Sequence, residues 1–204
     1  MPRGRPKEFD VDKALDAALE LFWRHGYEGT SIAMLTHAMN LNVPSLYGAF
    51  GNKEALFRKV LDRYLERPAS YLPKALEAAT ARQTVENLFA GAIGMVTNPG
   101  HADGCLLVHG ALVAGPSAAS IRKELSRRRA GAAMAIQRRL ERAVAEGDLP
   151  SNVDPAQLAR YVVTVIWGLS VQAAGGGTRA ELQEVADMAL RTWPNASPMV
   201  ELNQ

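Results

Sequence analysis

Two short amphipathic segments separated by a three-residue turn constrain this chain more than any other feature. In the first, Ile32, Leu35, Ala38 and Met39 recur at helical spacing, and Thr30 or Ser31 can cap the start. Asn40-Leu41-Asn42 forms the turn. Asn42 is placed to cap the second segment, and Pro44 falls in a first helical turn, where its missing N–H does no harm. That second helix, about two turns long, carries Ser45, Leu46, Tyr47 and Phe50. A longer helix precedes the pair: Asp10 can cap it, Val11, Leu15, Ala18, Leu19 and Phe22 form one apolar stripe, and Gly26 ends it.

This is a helix-turn-helix arrangement, whose second helix is expected to lie in the major groove of DNA. The residues near its N-terminal end are Val43, Pro44, Ser45, Tyr47 and Gly48. Ser45 can hydrogen-bond a base edge or a phosphate, and Val43 or Pro44 can contact a thymine methyl. Tyr47 offers a hydroxyl to phosphate and Lys53 a charge, while the helix start at Thr30 and Ser31 can hold a phosphate through free amides. Net charge is only +2 and does not announce a nucleic-acid partner. Its distribution says more: from Gly29 to Asn52 there is no Asp or Glu, as a surface approaching phosphates requires. At the N-terminus, Arg3-Gly4-Arg5-Pro6 resembles the core of an AT-hook. Arg3 and Arg5 are therefore expected in the minor groove, with a solvated basic tail as the alternative.

The remaining punctuation is helical too. A fourth helix is predicted from Lys53 to about Glu66, and further helices at 74–79, 83–97, 104–114, 117–146, 155–174 and 179–193. They are separated by Asn98-Pro99-Gly100, Gly115-Pro116, Gly147-Asp148-Leu149-Pro150 and Gly175-Gly176-Gly177. No segment sustains the alternation of a strand, so the predicted fold is all-α. No apolar run approaches the roughly 20 residues of a membrane span, and no secretory signal is evident, so a cytoplasmic location is expected. One cysteine among 204 residues excludes an internal disulfide framework.

The runs Leu19-Glu20-Leu21-Phe22, Gly26-Tyr27-Glu28-Gly29-Thr30-Ser31-Ile32, Ser45-Leu46-Tyr47, Phe50 and Asn52-Lys53-Glu54-Ala55-Leu56-Phe57 resemble the N-terminal signature of TetR/AcrR-family regulators. The resemblance covers about residues 10–60, in order and in register. It implies a homodimer on a palindromic operator, usually a repressor released by a small ligand, with Thr30, Ser45, Tyr47 and Lys53 at the DNA. The chain departs from the family at Asn40, where glycine is common, and near Val43, where a polar or basic residue is common.

The expected organisation is a basic arm at 1–8, a DNA-reading unit at 9–52, a ligand-binding and dimerisation unit at 53–195 and a tail at 196–204. The resemblance implies that the two last helices form the dimer interface, through Tyr161, Val165, Leu169, Leu182, Val185 and Met188. A plain intramolecular core is the competing reading. A pocket is expected among Phe89, Ile93, Cys105, Val108, His109, Met134 and Trp167, whose apolar character suits a small hydrophobic effector. Cys105 and His109 lie four residues apart and close to a helix start. An inert buried thiol is the default reading there, and a thiol sensing electrophiles or oxidants the sharper one. The arginine-rich stretch from Arg122 to Arg142 reads as a solvated face of a long helix. No acid–base, nucleophile or metal constellation stands out, so neither catalysis nor a cofactor is expected. The alternative function is a cytosolic ligand-binding or thiol redox-sensor protein without operator binding.

Overall fold

In the computed structural model, which describes residues 9–110 and 115–194, every regular element is a helix. They are α1 (Val11–Gly29), α2 (Ile32–Ala38), α3 (Val43–Phe50), α4 (Lys53–Glu66), α5 (Tyr71–Leu76), α6 (Ala81–Val96), α7 (Leu106–His109), a 3₁₀ turn (Pro116–Ala118), α8 (Ala119–Ala145), α9 (Pro155–Ala174) and α10 (Arg179–Arg191). The arginines at 3 and 5 lie outside the described residues.

Side-chain caps set most of the helix starts. Asp10 accepts from the amides of Asp12 and Lys13, Ser31 from Met34, Asn42 from Ser45 and Asn52 from Ala55. Thr178 and Glu181 form a reciprocal capping box on α10. The turn between α2 and α3 passes through Asn40 at φ 52°. Asparagine tolerates that left-handed conformation, so its departure from the glycine that the resemblance leads one to expect leaves the turn intact.

Gly26 does not end α1 outright. At φ 69°, ψ 178° it kinks the helix, which resumes for one turn to Gly29. The kink lets the Tyr27 amide donate to the Gly110 carbonyl at 2.9 Å, and a Cβ on Gly26 would press on that same carbonyl. Helix α5 begins at Tyr71, three residues before the prediction. Pro73 falls in its first turn, where no intrahelical N–H is needed. Of the described part of the predicted 104–114 helix, Leu106–His109 are helical as α7.

One apolar core runs from α1 to α10. Its N-terminal part is aromatic: Phe57 of α4 meets Phe22 and Tyr27 edge-on at 4.9 and 5.2 Å, and Tyr64 meets Trp23 edge-on at 4.9 Å. Alongside, the buried Arg63 of α4 binds both carboxylate oxygens of Asp16, through Nε and, at 2.7 Å, Nη2. Its Nη1 reaches Asp12 at 2.6 Å. These bonds fix α4 against α1.

Candidate functional site

The outer face of α3 is exposed while its inner face is anchored. Leu46 and Phe50 are buried, whereas Val43, Pro44, Ser45, Tyr47 and Gly48 are all exposed, Val43 and Tyr47 to 44% and 42%. A Cβ built on Gly48 would find no atom within 4 Å. Ser31 is exposed, but Thr30 is not. Its side chain is fully buried and its hydroxyl donates to the Gly26 carbonyl at 2.7 Å, so Thr30 locks the kinked end of α1 instead of facing outward. The burial concerns the side chain, whereas the phosphate contact expected at Thr30 and Ser31 runs through the free amides of the helix start. Lys53, half-buried at the start of α4, holds its ammonium 4.5 Å above the Tyr27 ring, and burial lowers its pKa.

Polar bonds tie this unit to the helices that follow. Glu28 accepts from the Gly115 amide at 2.9 Å and from the Ser117 hydroxyl at 2.7 Å, and these bonds hold its carboxyl below the usual range. Glu54 of α4 accepts from Ser120 of α8. Arg58 of α4 bridges Glu54 and Glu124 at 2.7 and 3.0 Å. Glu124, almost wholly buried, is gripped by Arg127, Arg128 and Arg58, and the hydrogen bonds from the first two hold its pKa down to about 2.

A cavity of about 290 Å³ opens between α4, α5, α6, α8 and α9. Its apolar wall includes Leu88, Met95, Ile136, Val163, Ile166 and Trp167, with Tyr64, Tyr71, Cys105, Arg128 and Arg129 as polar members. Of the residues predicted to line a pocket, Cys105 and Trp167 line this cavity and the others do not. Ile93 is fully buried in the core, and Phe89 borders a hollow against α10. Val108 lines a separate hollow with Thr164, Gly168 and Val171. The His109 ring is turned to the Ser170 carbonyl at 3.2 Å. Met134 is 55% exposed, because α8 faces the cavity with Gly131, Ala132 and Ala135, a phase of the 3.6-residue repeat that excludes position 134.

The arginine-rich stretch of α8 is not uniformly solvated, contrary to expectation. Arg127 is solvated, but Arg129 turns to the cavity and Arg139 is buried, donating to the carbonyls of Ala78 and Ala79. At Cys105 burial pushes the thiol pKa up, against hydrogen bonds that favour the thiolate. The Tyr64 hydroxyl lies 3.1 Å from its Sγ.

On α9 and α10, Leu169 and Leu182 are 1% exposed and pack inside the protomer, which corrects their assignment to a dimer surface. The opposite faces of the same helices leave Tyr161, Val171, Val185 and Met188 exposed at 40 to 57%, with Val165 half-buried.

Comparison with known proteins extends over nearly the whole chain. The family model of bacterial regulatory proteins, tetR family, matches residues 14–60, and that of the tetracyclin repressor-like C-terminal domain matches residues 79–189. The HTH-type transcriptional repressor ComR of Escherichia coli (strain K12) is 37% identical over 194 residues, covering 94% of this chain and 92% of that protein. The HTH-type transcriptional repressor BdcR of the same strain is 31% identical over 189 residues, covering 91% and 90%. A solved structure of a cysteine mutant of the TetR family transcriptional regulator CifR, complexed with 26-bp double-strand operator DNA, has a TM-score of 0.90 and 41% identity. It covers 94% of this chain and 100% of its own.

Proposed function

The chain belongs to the TetR family of bacterial regulatory proteins, and from that premise we propose that it represses transcription as a homodimer on a palindromic operator, released by a small effector. The observation that carries this reading is α3: two buried residues anchor it, and the other six present an exposed, carboxylate-free face. Val43, Pro44 and Ser45 meet base edges, and Ser31, Tyr47 and Lys53 meet phosphates. Gly48 lets the helix approach the DNA backbone closely. Val43 makes the first of these contacts apolar, favouring thymine methyls.

In this reading residues 9–52 read DNA and 53–195 sense and dimerise, with α4 shared between them. Tyr161, Val165, Val185 and Met188 form the centre of the dimer face, which sets the spacing of the two α3 helices at about one turn of DNA, ~34 Å, or a multiple of it. The effector occupies the cavity against α4 and α8. Because Arg128 lies on the cavity wall and also pairs with Asp62 of α4 and with Glu124, a ligand that shifts α8 shifts α4 and with it α3. Each ligand then weakens the other's binding by the same factor. The protein acts in the cytoplasm and has no catalytic role.

The test is selection from sheared genomic DNA with the purified full chain, followed by sequencing of the bound fragments. Enrichment of one palindromic sequence, lost on Ser45→Ala with Val43→Ala, supports the reading. Fragments enriched without a common sequence overturn it.

A further inference from the structure

We infer that the effector of this cavity is a small organic anion, one or two rings bearing a carboxylate or an equally compact anionic group; the inference rests on the effector reading of the cavity given above.

Every polar side chain on the wall can donate a hydrogen bond: Tyr64, Tyr71, Cys105, Trp167, Arg128 and Arg129. None is Asp, Glu, Asn or Gln. The charge of Arg128 is already met by Glu124 and Asp62. That of Arg129 is not. Half-buried, it donates to the Leu107 carbonyl, and among the described residues no carboxylate lies within ion-pairing distance. A guanidinium withdrawn from water without an anion is unfavourable and becomes favourable once a carboxylate meets its planar fork. Burial accordingly lowers the Arg129 pKa.

A second donor in the cavity lacks a good acceptor. Tyr64 is fully buried, and although the Leu106 backbone also bonds to its oxygen, the only acceptors its hydroxyl finds among the described residues are the sulfur atoms of Met95 and Cys105, at 3.2 and 3.1 Å. Sulfur is a weak acceptor beside a carboxylate oxygen. The site therefore holds an excess of donors and of positive charge inside an apolar wall, which is complementary to an amphipathic anion. At about 290 Å³ the cavity is roughly twice the ~150 Å³ that holds benzene in a dry protein interior, so a bicyclic arene with one anionic group is within its capacity. Arg129 and Trp167 also line the neighbouring hollow with Thr164, Gly168 and Val171, which places the guanidinium between the cavity and the outer face of α9.

The test titrates the full-length protein with 2-naphthoate and with its uncharged isostere 2-naphthamide. Calorimetry and tryptophan fluorescence are the readouts, in wild type, R129M and R129K, with helicity and sedimentation checked for each. The expected result is at least tenfold tighter binding of naphthoate by wild type, equal binding of the two by R129M through loss of naphthoate affinity alone, and a partial preference in R129K. Equal binding by wild type overturns the anionic assignment while leaving the cavity as an effector site. Binding of neither at millimolar concentration overturns both. A naphthoate preference that survives in R129M places the anion away from Arg129 and overturns the assignment. Loss of the dimer in R129M, with no anion preference in wild type, identifies a carboxylate of the second copy as the partner of Arg129 and overturns it equally.

Discussion

Gly48 separates fold stability from DNA binding, and Gly48→Ala tests whether α3 is a working surface. It is the sixth of the eight residues of α3, and no atom lies within 4 Å of the position a Cβ would take. Nothing in the protomer requires glycine there. Alanine in a helix interior is favoured over glycine by about 0.8–1 kcal/mol, and somewhat less so near a helix end. At about 2–4 °C per kcal/mol for a chain of this size, G48A should raise Tm by roughly 1–4 °C. If the face meets the DNA backbone, the same methyl group intrudes on a close contact. Overpacking of that kind costs about 1–3 kcal/mol, roughly a five- to 150-fold loss of operator affinity. Differential scanning calorimetry and fluorescence anisotropy on one preparation read both quantities. A variant that is stabilised and binds operator as tightly as wild type would refute the placement of Gly48 against DNA. A destabilised variant would refute the reading of its open surroundings.

Three further outcomes are expected. Asp16→Ala leaves the buried Arg63 with Asp12 alone; since the Asp16 carboxylate is about half exposed, the loss is ~2 kcal/mol, below the 3–5 of a fully buried pair. Hydrogen bonds from Arg63 hold the Asp16 carboxyl below its ordinary value, so its contribution is complete above about pH 4 and is lost as pH falls through the folded pKa. Urea melts should show the D16A deficit at pH 7 shrinking below pH 4, and a deficit independent of pH would contradict the assignment. Met188→Glu, at a position 57% exposed, should leave the melting of the protomer fold nearly unchanged but weaken the dimer at least about tenfold by sedimentation, lowering operator affinity with it. Cys105 should react with a thiol-specific disulfide reagent at least about a hundredfold more slowly in the native protein than in denaturant, because burial disfavours its thiolate. Rapid native labelling would favour the thiol-sensor reading over the inert one.

The DNA-reading unit was legible in the sequence because its signals are local. Asp10, Ser31 and Asn42 cap within three residues of themselves, and Pro44 and the Asn40 turn act on their own backbone. Long helices α8 to α10 were legible from the glycines and prolines between them. The role of the Thr30 hydroxyl was not legible, because it serves a kink that a terminating glycine does not announce. The cavity was misread for a different reason. Which phase of α8 faces it depends on packing between helices distant in sequence, and a rotation of one residue exchanges Met134 for Ala135. The same dependence hid Arg129 and Arg139, which composition alone assigns to solvent. Leu169 and Leu182 were assigned outward because helices with apolar residues on two faces do not reveal which face a second copy covers.

The most direct test of the central claim is the salt dependence of binding to the palindromic fragment selected from genomic DNA, measured by anisotropy at 50 and 200 mM salt against a scrambled fragment. A dimer making six to ten phosphate contacts predicts an affinity that falls about 10³–10⁵-fold between those salts and exceeds that for scrambled DNA by at least about 10³-fold. Equal affinity for the two fragments, or binding unaffected by salt, would contradict the account.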